Sequence, residues 1–284
     1  RKFWTYLFAP TGKGIPLINF ARKDGLRGCW DYWKGTLTEE AAHCTKWMSE
    51  SGGWIYSKMH YCPSKGRLLE LEKEIGLKPY HNYCGHCDYY RAALEEVGLS
   101  WFRNHMDVDK AGCQSYLFDP KVFKGIVEPS EDMEILDIKP GDYEYFHPDF
   151  HSSLNMGIHY VGENYGMEAV REYLTRYTLN VYCKVIDDIK ARGIQAIADK
   201  IADTYAKEKA SDAMSMNLTD DRLDISISYC PAVKHLKATG RVVTKWYRYT
   251  TEIVMEVLAA AAGYKFVMES YDEETGAAKY FFTK

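Results

Sequence analysis

Two tripeptides, Tyr61-Cys62-Pro63 and Tyr229-Cys230-Pro231, stand 168 positions apart in a chain of 284 residues. The same offset aligns Gly25 with Gly193 and Leu68 with Leu236. A slip of three residues in the following loop then aligns Gly98 with Gly263 and Trp101 with Phe266. Both stretches end alike, in Cys113-Gln-Ser-Tyr-Leu-Phe118 and Ala278-Lys-Tyr-Phe-Phe282, after glycines at 112 and 276. Self-similarity at one offset constrains the fold more than any single motif, because it asks for one module built twice.

Each module reads as a helix, a strand running into Cys-Pro, a connection, a second helix closed by glycine, and a hairpin. The second copy shows the pattern best. Ile194, Ile197, Ile201 and Tyr205 recur at three and four, which is one helical face. Leu223, Ile225 and Ile227 alternate with Asp224, Ser226 and Ser228, which is a half-buried strand. Residues 250–262 read as a helix stopped by Gly263, and 264–271 with 277–283 as a hairpin turning at Asp272-Glu-Glu-Thr-Gly276. Helices mixed with antiparallel strands make the class α+β, and two duplicated modules are expected to pair about a pseudo-twofold axis. Residues 1–118 form the first module. Residues 119–149, rich in Pro, Gly and acidic side chains, read as a linker wrapping the surface. Residues 150–284 hold a helical segment, broken near Gly166, and the second module.

Hydrophobic residues at 46% and charged residues at 27% are ordinary globular values, which excludes disorder and coiled coil. With 36 basic against 40 acidic residues and no basic block, nucleic acid is not an expected partner. The longest apolar stretch, around residues 253–262, is interrupted by Glu256 and is too short for a bilayer, so no membrane association is expected. Eight cysteines in a chain able to bury a real core read as buried thiols, ligands or nucleophiles rather than a disulfide scaffold. No signal-like order of charged, apolar and small residues is seen, so a cytoplasmic location is expected. Thr11-Gly-Lys-Gly14 lacks phosphate-loop spacing, and no nucleotide cofactor is expected. The expected partner is a small-molecule substrate, with a homo-oligomer left open.

Polar residues present in only one copy are the better candidates for chemistry. The first copy carries His81-Asn-Tyr-Cys84-Gly-His86-Cys87-Asp88 at the start of the helix that ends at Gly98. Unpaired amides and the helix dipole lower a thiol pKa there, so Cys84 reads as a thiolate candidate, with His86 or Asp88 close enough for acid-base work. Cys84 and Cys87 also suit a redox pair, although the thioredoxin-like βαβ context is missing, or half of a zinc site completed by His81, His86, Cys62 or Cys113. The plain reading is buried thiols beside an exposed histidine. Cys62 and Cys230, present in both copies, read as small buried residues.

A second cluster is His147-Pro148-Asp149-Phe150-His151. In an extended segment residues 147, 149 and 151 project to one side, which suits three ligands on a divalent metal such as zinc. Against this, Pro148 disfavours a regular strand and Asp149 is equally a helix N-cap. On the strand after the Cys-rich helix, alternation places Trp101, Arg103, His105 and Asp107 on one face. Lining a pocket beside Trp101, Arg103 would pair with a substrate carboxylate and His105 would carry protons; facing water, both are solvated charges.

The succession of Tyr61-Cys62-Pro63, Cys84-x-x-Cys87-Asp88, a helix, and the hairpin from Gly112-Cys113 to Phe118 resembles the L-2-amino-thiazoline-4-carboxylic acid hydrolase family. The resemblance implies hydrolysis of a small cyclic amidine-like substrate, opening a thiazoline ring to a carbamoyl-cysteine. It implies Cys84 as nucleophile or water-positioning group, His86 as proton carrier and Asp88 as orienting acid. The duplication and the His147 element depart from the family's pattern. Two other classes stay open: a sensor domain that binds a small molecule without turnover, and a zinc-stabilised binding protein. The site is expected between the modules.

Overall fold

The computed structural model describes residues 16–125, 130 and 133–284, with the side chain of His105 left out; residues 11–14 also lie outside the described residues. The chain divides into two compact units, the first ending at His147 and the second running from Pro148 to Lys284. Among the described residues no helix is long and apolar enough to cross a membrane.

The first unit opens with α1 (Leu17–Glu39), broken at Gly25, whose φ of +57° and ψ of −128° lie outside the helical region. A hairpin follows, β1 (His43–Ser49) and β2 (Trp54–Tyr61), then α2 (Pro63–Ile75), a 3-10 turn (Tyr83–Asp88) and α3 (Tyr89–Glu95). A second hairpin, β3 (Ser100–Asp107) and β4 (Gly112–Phe118), precedes β5 (Glu134–Ile138). The antiparallel sheet runs β3-β4-β2-β1-β5. Alternation along β1 buries Cys44, Lys46 and Met48 on the face turned to the core. That core gathers Leu17, Trp30, Ile55, Leu94, Trp101 and Leu117.

The segment expected to wrap the surface instead supplies β5, which pairs antiparallel with β1 from Cys44↔Ile138 to Met48↔Glu134. An edge strand needs backbone pairing on one side only, so its acidic residues can face water while Ile138 is buried.

In the second unit α4 (Phe150–Val181) breaks at Gly166, as its sequence predicts, with φ +81° and ψ −177°, a conformation open to glycine alone. Then come α5 (Cys183–Arg192), α6 (Ile194–Lys207), β6 (Met214–Leu218), β7 (Arg222–Ile227), α7 (Pro231–Ala238), α8 (Tyr249–Ala261), β8 (Lys265–Tyr271) and β9 (Ala278–Thr283). The sheet order is β6-β7-β9-β8, so β8-β9-β7-β6 matches β3-β4-β2-β1 strand for strand. The fold class is α+β, with two separate antiparallel sheets.

Local details also match. Gly193 breaks the chain between α5 and α6 with φ +72° and ψ −151°, as Gly25 does in α1. Ala41 and Lys209 end the preceding helices at φ +48° and +54°. The next amide donates back over the same five-residue reach in both, Ala42 N–H to Leu37 C=O and Ala210 N–H to Tyr205 C=O. Both hairpins carry a register shift, between Arg103 and His105 and between Met268 and Ser270.

Candidate functional site

The Cys-rich segment is a 3-10 turn ahead of α3, not the first turn of an α-helix, so the dipole argument for Cys84 loses its basis. The Cys84 carbonyl accepts a hydrogen bond from Arg103 Nη1 at 2.7 Å, and Arg103 Nη2 pairs with Asp88 at 2.8 Å. Arg103 thus ties the turn to β3, and its fork is occupied by Asp88 and a backbone carbonyl rather than held out for a substrate carboxylate. His86 Nδ1 donates to the Tyr83 carbonyl at 2.6 Å, which leaves Nε2, 3.4 Å from the Cys87 sulfur, as acceptor from that thiol. His86 therefore meets Cys87, and burial lowers its pKa. Burial likewise pushes the Cys87 thiol far up. Trp101 is 6% exposed and packs in the core. Strand β3 carries a register shift between Arg103 and His105, and the side chain of His105 lies outside what is described.

Cys62, Cys84, Cys87 and Cys113 lie close enough for their charges to interact. Among the described residues, however, no three His, Cys, Asp or Glu side chains are grouped to hold a metal ion.

The three candidate metal ligands do not converge. His147 Nδ1 donates to Glu39 at 2.9 Å, with Nε2 3.7 Å from Glu40. Asp149 accepts from the Ser152 hydroxyl at 2.5 Å and lies 3.4 Å from Arg241. His151 Nε2 donates to Glu208 at 3.1 Å, and its Nδ1 is 3.4 Å from the Tyr247 hydroxyl. Pro148 keeps the segment off a regular strand, α4 begins directly after Asp149, and His147 and His151 belong to different units.

Each of those histidines lies near a carboxyl at the end of a helix, His147 at 3.7 Å from Glu40 and His151 at 3.1 Å from Glu208. Glu40 and Glu208 are the C-cap residues of α1 and α6 and stand 168 positions apart, the same offset as Cys62 and Cys230. Cys62 and Cys230 are in turn the N-caps of α2 and α7, each followed by proline at the first helical position. Proline favours that position and holds the preceding residue extended, which places each sulfur over the first amides of its helix. Neither sulfur makes a side-chain cap hydrogen bond, but the amides of Ser64 and Lys65 near Cys62, and of Ala232 and Val233 near Cys230, favour the thiolate. Burial outweighs them and raises both pKa values, so each is a neutral thiol at pH 7. Each thiol also feels its unit's carboxyl, Glu40 or Glu208.

In the second unit this trio opens on a cavity of about 360 Å³, within the size range of small-molecule sites. His151, Glu208, Cys230 and Tyr247 are among its lining residues. So are Tyr173 and Tyr177 from beyond the Gly166 break, Tyr182, Lys200 and Tyr205, and the apolar Leu174, Ile201, Val254 and Leu258. Burial holds the Tyr205, Tyr247 and Tyr280 hydroxyls protonated far above neutral pH, as donors on a largely apolar wall. Sequence reading missed this site because it weighted residues unique to the first copy. The signal available was the shared offset of Glu40 and Glu208.

Comparisons of the chain with protein-family models, with curated proteins and with solved structures found no match.

Proposed function

We propose that the protein binds a small molecule in the second unit's cavity, an aromatic compound with a polar end. The observation that carries this is the cavity itself, with tyrosine and aliphatic walls and a His151–Glu208 pair at 3.1 Å among its linings. Aromatic walls favour a flat apolar body, and the His–Glu pair and the tyrosine hydroxyls take its hydrogen-bonding end. Calorimetric titration with 2-naphthol tests it. Saturable one-to-one binding is expected, with Kd on the order of 0.1 mM for so small a ligand. Val254→Trp, which fills the cavity from α8, is expected to weaken it at least tenfold. Absent binding, or unchanged affinity in that variant, overturns the reading.

A second reading, hydrolysis of a small ring compound such as a 2-amino-thiazoline-4-carboxylate, draws on the same pair, since a histidine held by a carboxylate can activate water. Turnover lost in Val254→Trp supports chemistry in the cavity, and turnover lost only in Cys84→Ala supports the Cys-rich turn. No turnover by the wild type removes hydrolysis of that compound. Eight cysteines, none in a disulfide, support a cytoplasmic location.

A further inference from the structure

The first unit has its own groove, about 470 Å³, whose lining includes Glu40 and Pro63, at the same offset as Glu208 and Pro231 in the second unit's cavity. Its chemistry differs. Where the second unit presents tyrosines and aliphatics, this groove presents Glu40, His43, His60, Arg67, Glu70 and Tyr145.

We propose that this groove binds a small anion bearing a carboxylate or phosphate, with Arg67 as its charged anchor and His43 as a second donor.

Arg67 is half-buried on α2, and its guanidinium lies over the Tyr145 ring at 4.3 Å. Stacking holds the planar fork by its face and leaves its edge, where the N–H donors are, for a ligand. Among the described residues Arg67 makes no ion pair within 4 Å. Neither carboxyl of the groove forms an ion pair with Arg67 within 4 Å: Glu70 accepts from the Tyr61 hydroxyl at 3.2 Å, and Glu40, 3.7 Å from His147, feels the Arg67 charge only at longer range. Burial also raises the Glu40 pKa, which weakens its competition for Arg67.

The histidines are unequal. Thr45 donates to Asp137 at 2.9 Å, so the Thr45 oxygen accepts from His60 Nε2 at 2.8 Å, and that N–H is used. The His43 ring stacks on His60 with centroids 4.7 Å apart and has no hydrogen-bond partner among the described residues. It is a half-buried donor in the groove that contains Arg67. The site stands on its own residues and does not depend on what the second unit binds.

The test is an NMR titration of the full chain, following the His43 ring signals with inorganic phosphate and with succinate at constant chloride-balanced ionic strength. A saturable shift with at least one anion is expected, weakened tenfold or more in Arg67→Gln and several-fold in Arg67→Lys, which keeps the charge but loses the fork. Response to phosphate alone assigns a phosphate-bearing ligand, and response to succinate alone a carboxylate. Backbone amide spectra matching the wild type away from α2 show that the variants fold. No saturable shift with either anion, or wild-type affinity in both variants, overturns the proposal. Val254→Trp in the second unit is expected to leave this titration unchanged; loss there would place the anion outside the groove and overturn it as well.

Discussion

Lys46 sits on the buried face of β1, 4% exposed, its ammonium 4.6 Å from the Trp33 ring centroid. Burial lowers its pKa from 10.5 to about 8. Between those values the unfolded chain binds the proton that the folded chain has released, so this residue's contribution to stability rises with pH across that window. Below it the ammonium is charged in both states and costs the fold about 3 kcal/mol. Cys29 and Cys44, raised to about 12 and about 11, act oppositely above pH 9, where the unfolded thiols ionise first. Urea unfolding of wild type and Lys46→Met separates the two effects. The variant is expected to be the more stable at pH 7, with its advantage shrinking by pH 10; a constant difference would exclude Lys46 as the titrating group. Such burial is illegible in composition, since lysine is among the residues least often buried. The Cys-Pro pairs were legible, but reading them as filler overlooked what a proline at the first helical position does to the sulfur before it. The helix starts fall at Cys62 and Cys230 rather than at Cys84, and burial still keeps both thiols neutral.

The Gly166 break kinks a helix whose two halves contribute Leu154 and Tyr177 to one cavity. Gly166→Ala forces a side chain into φ +81° and ψ −177°, at a cost of about 1–3 kcal/mol. Calorimetry is expected to show a Tm lower by several degrees, with weaker 2-naphthol binding because the walls shift. Gly35→Ala is the contrast: it lies inside α1 with nothing within 4 Å of an added Cβ, and is expected to raise stability by up to about 1 kcal/mol. An equal loss in both variants would mean that the broken backbone at Gly166 is not what matters. The break was legible because glycine interrupts an otherwise periodic run. The strand β5 was not, because five residues at a sheet edge need only one buried side chain and a free backbone to pair with. Nor was the bulge in β3, which leaves the residue sequence of a strand intact while changing its register.

Each unit of the whole molecule holds a core of its own: the cluster around Ile253, Leu223 and Phe282 lies wholly in the second unit, and that around Leu17, Trp30 and Leu94 in the first. Phe282→Ala, at a fully buried position, is expected to cost about 3–5 kcal/mol. Hydrogen exchange should then show protection lost in the second unit and kept in β1, β2 and β4; uniform loss would mean that the two cores unfold as one. The sequence by itself determined the α+β class, the Gly166 break, and α6, β7, α8, β8 and β9 of the second unit, because periodicity and glycine act over a few neighbouring residues, whereas β6 and the helices that start at each Cys-Pro were not read from it. Only the tertiary structure decided that His147 and His151 face separate carboxyls, that Arg103 braces a turn, and that one unit holds a tyrosine-lined cavity and the other a polar groove. Those outcomes depend on groups brought together from different elements, from 19 positions apart for Arg103 and Cys84 to 108 for His147 and Glu39, and no local pattern encodes which of them meet.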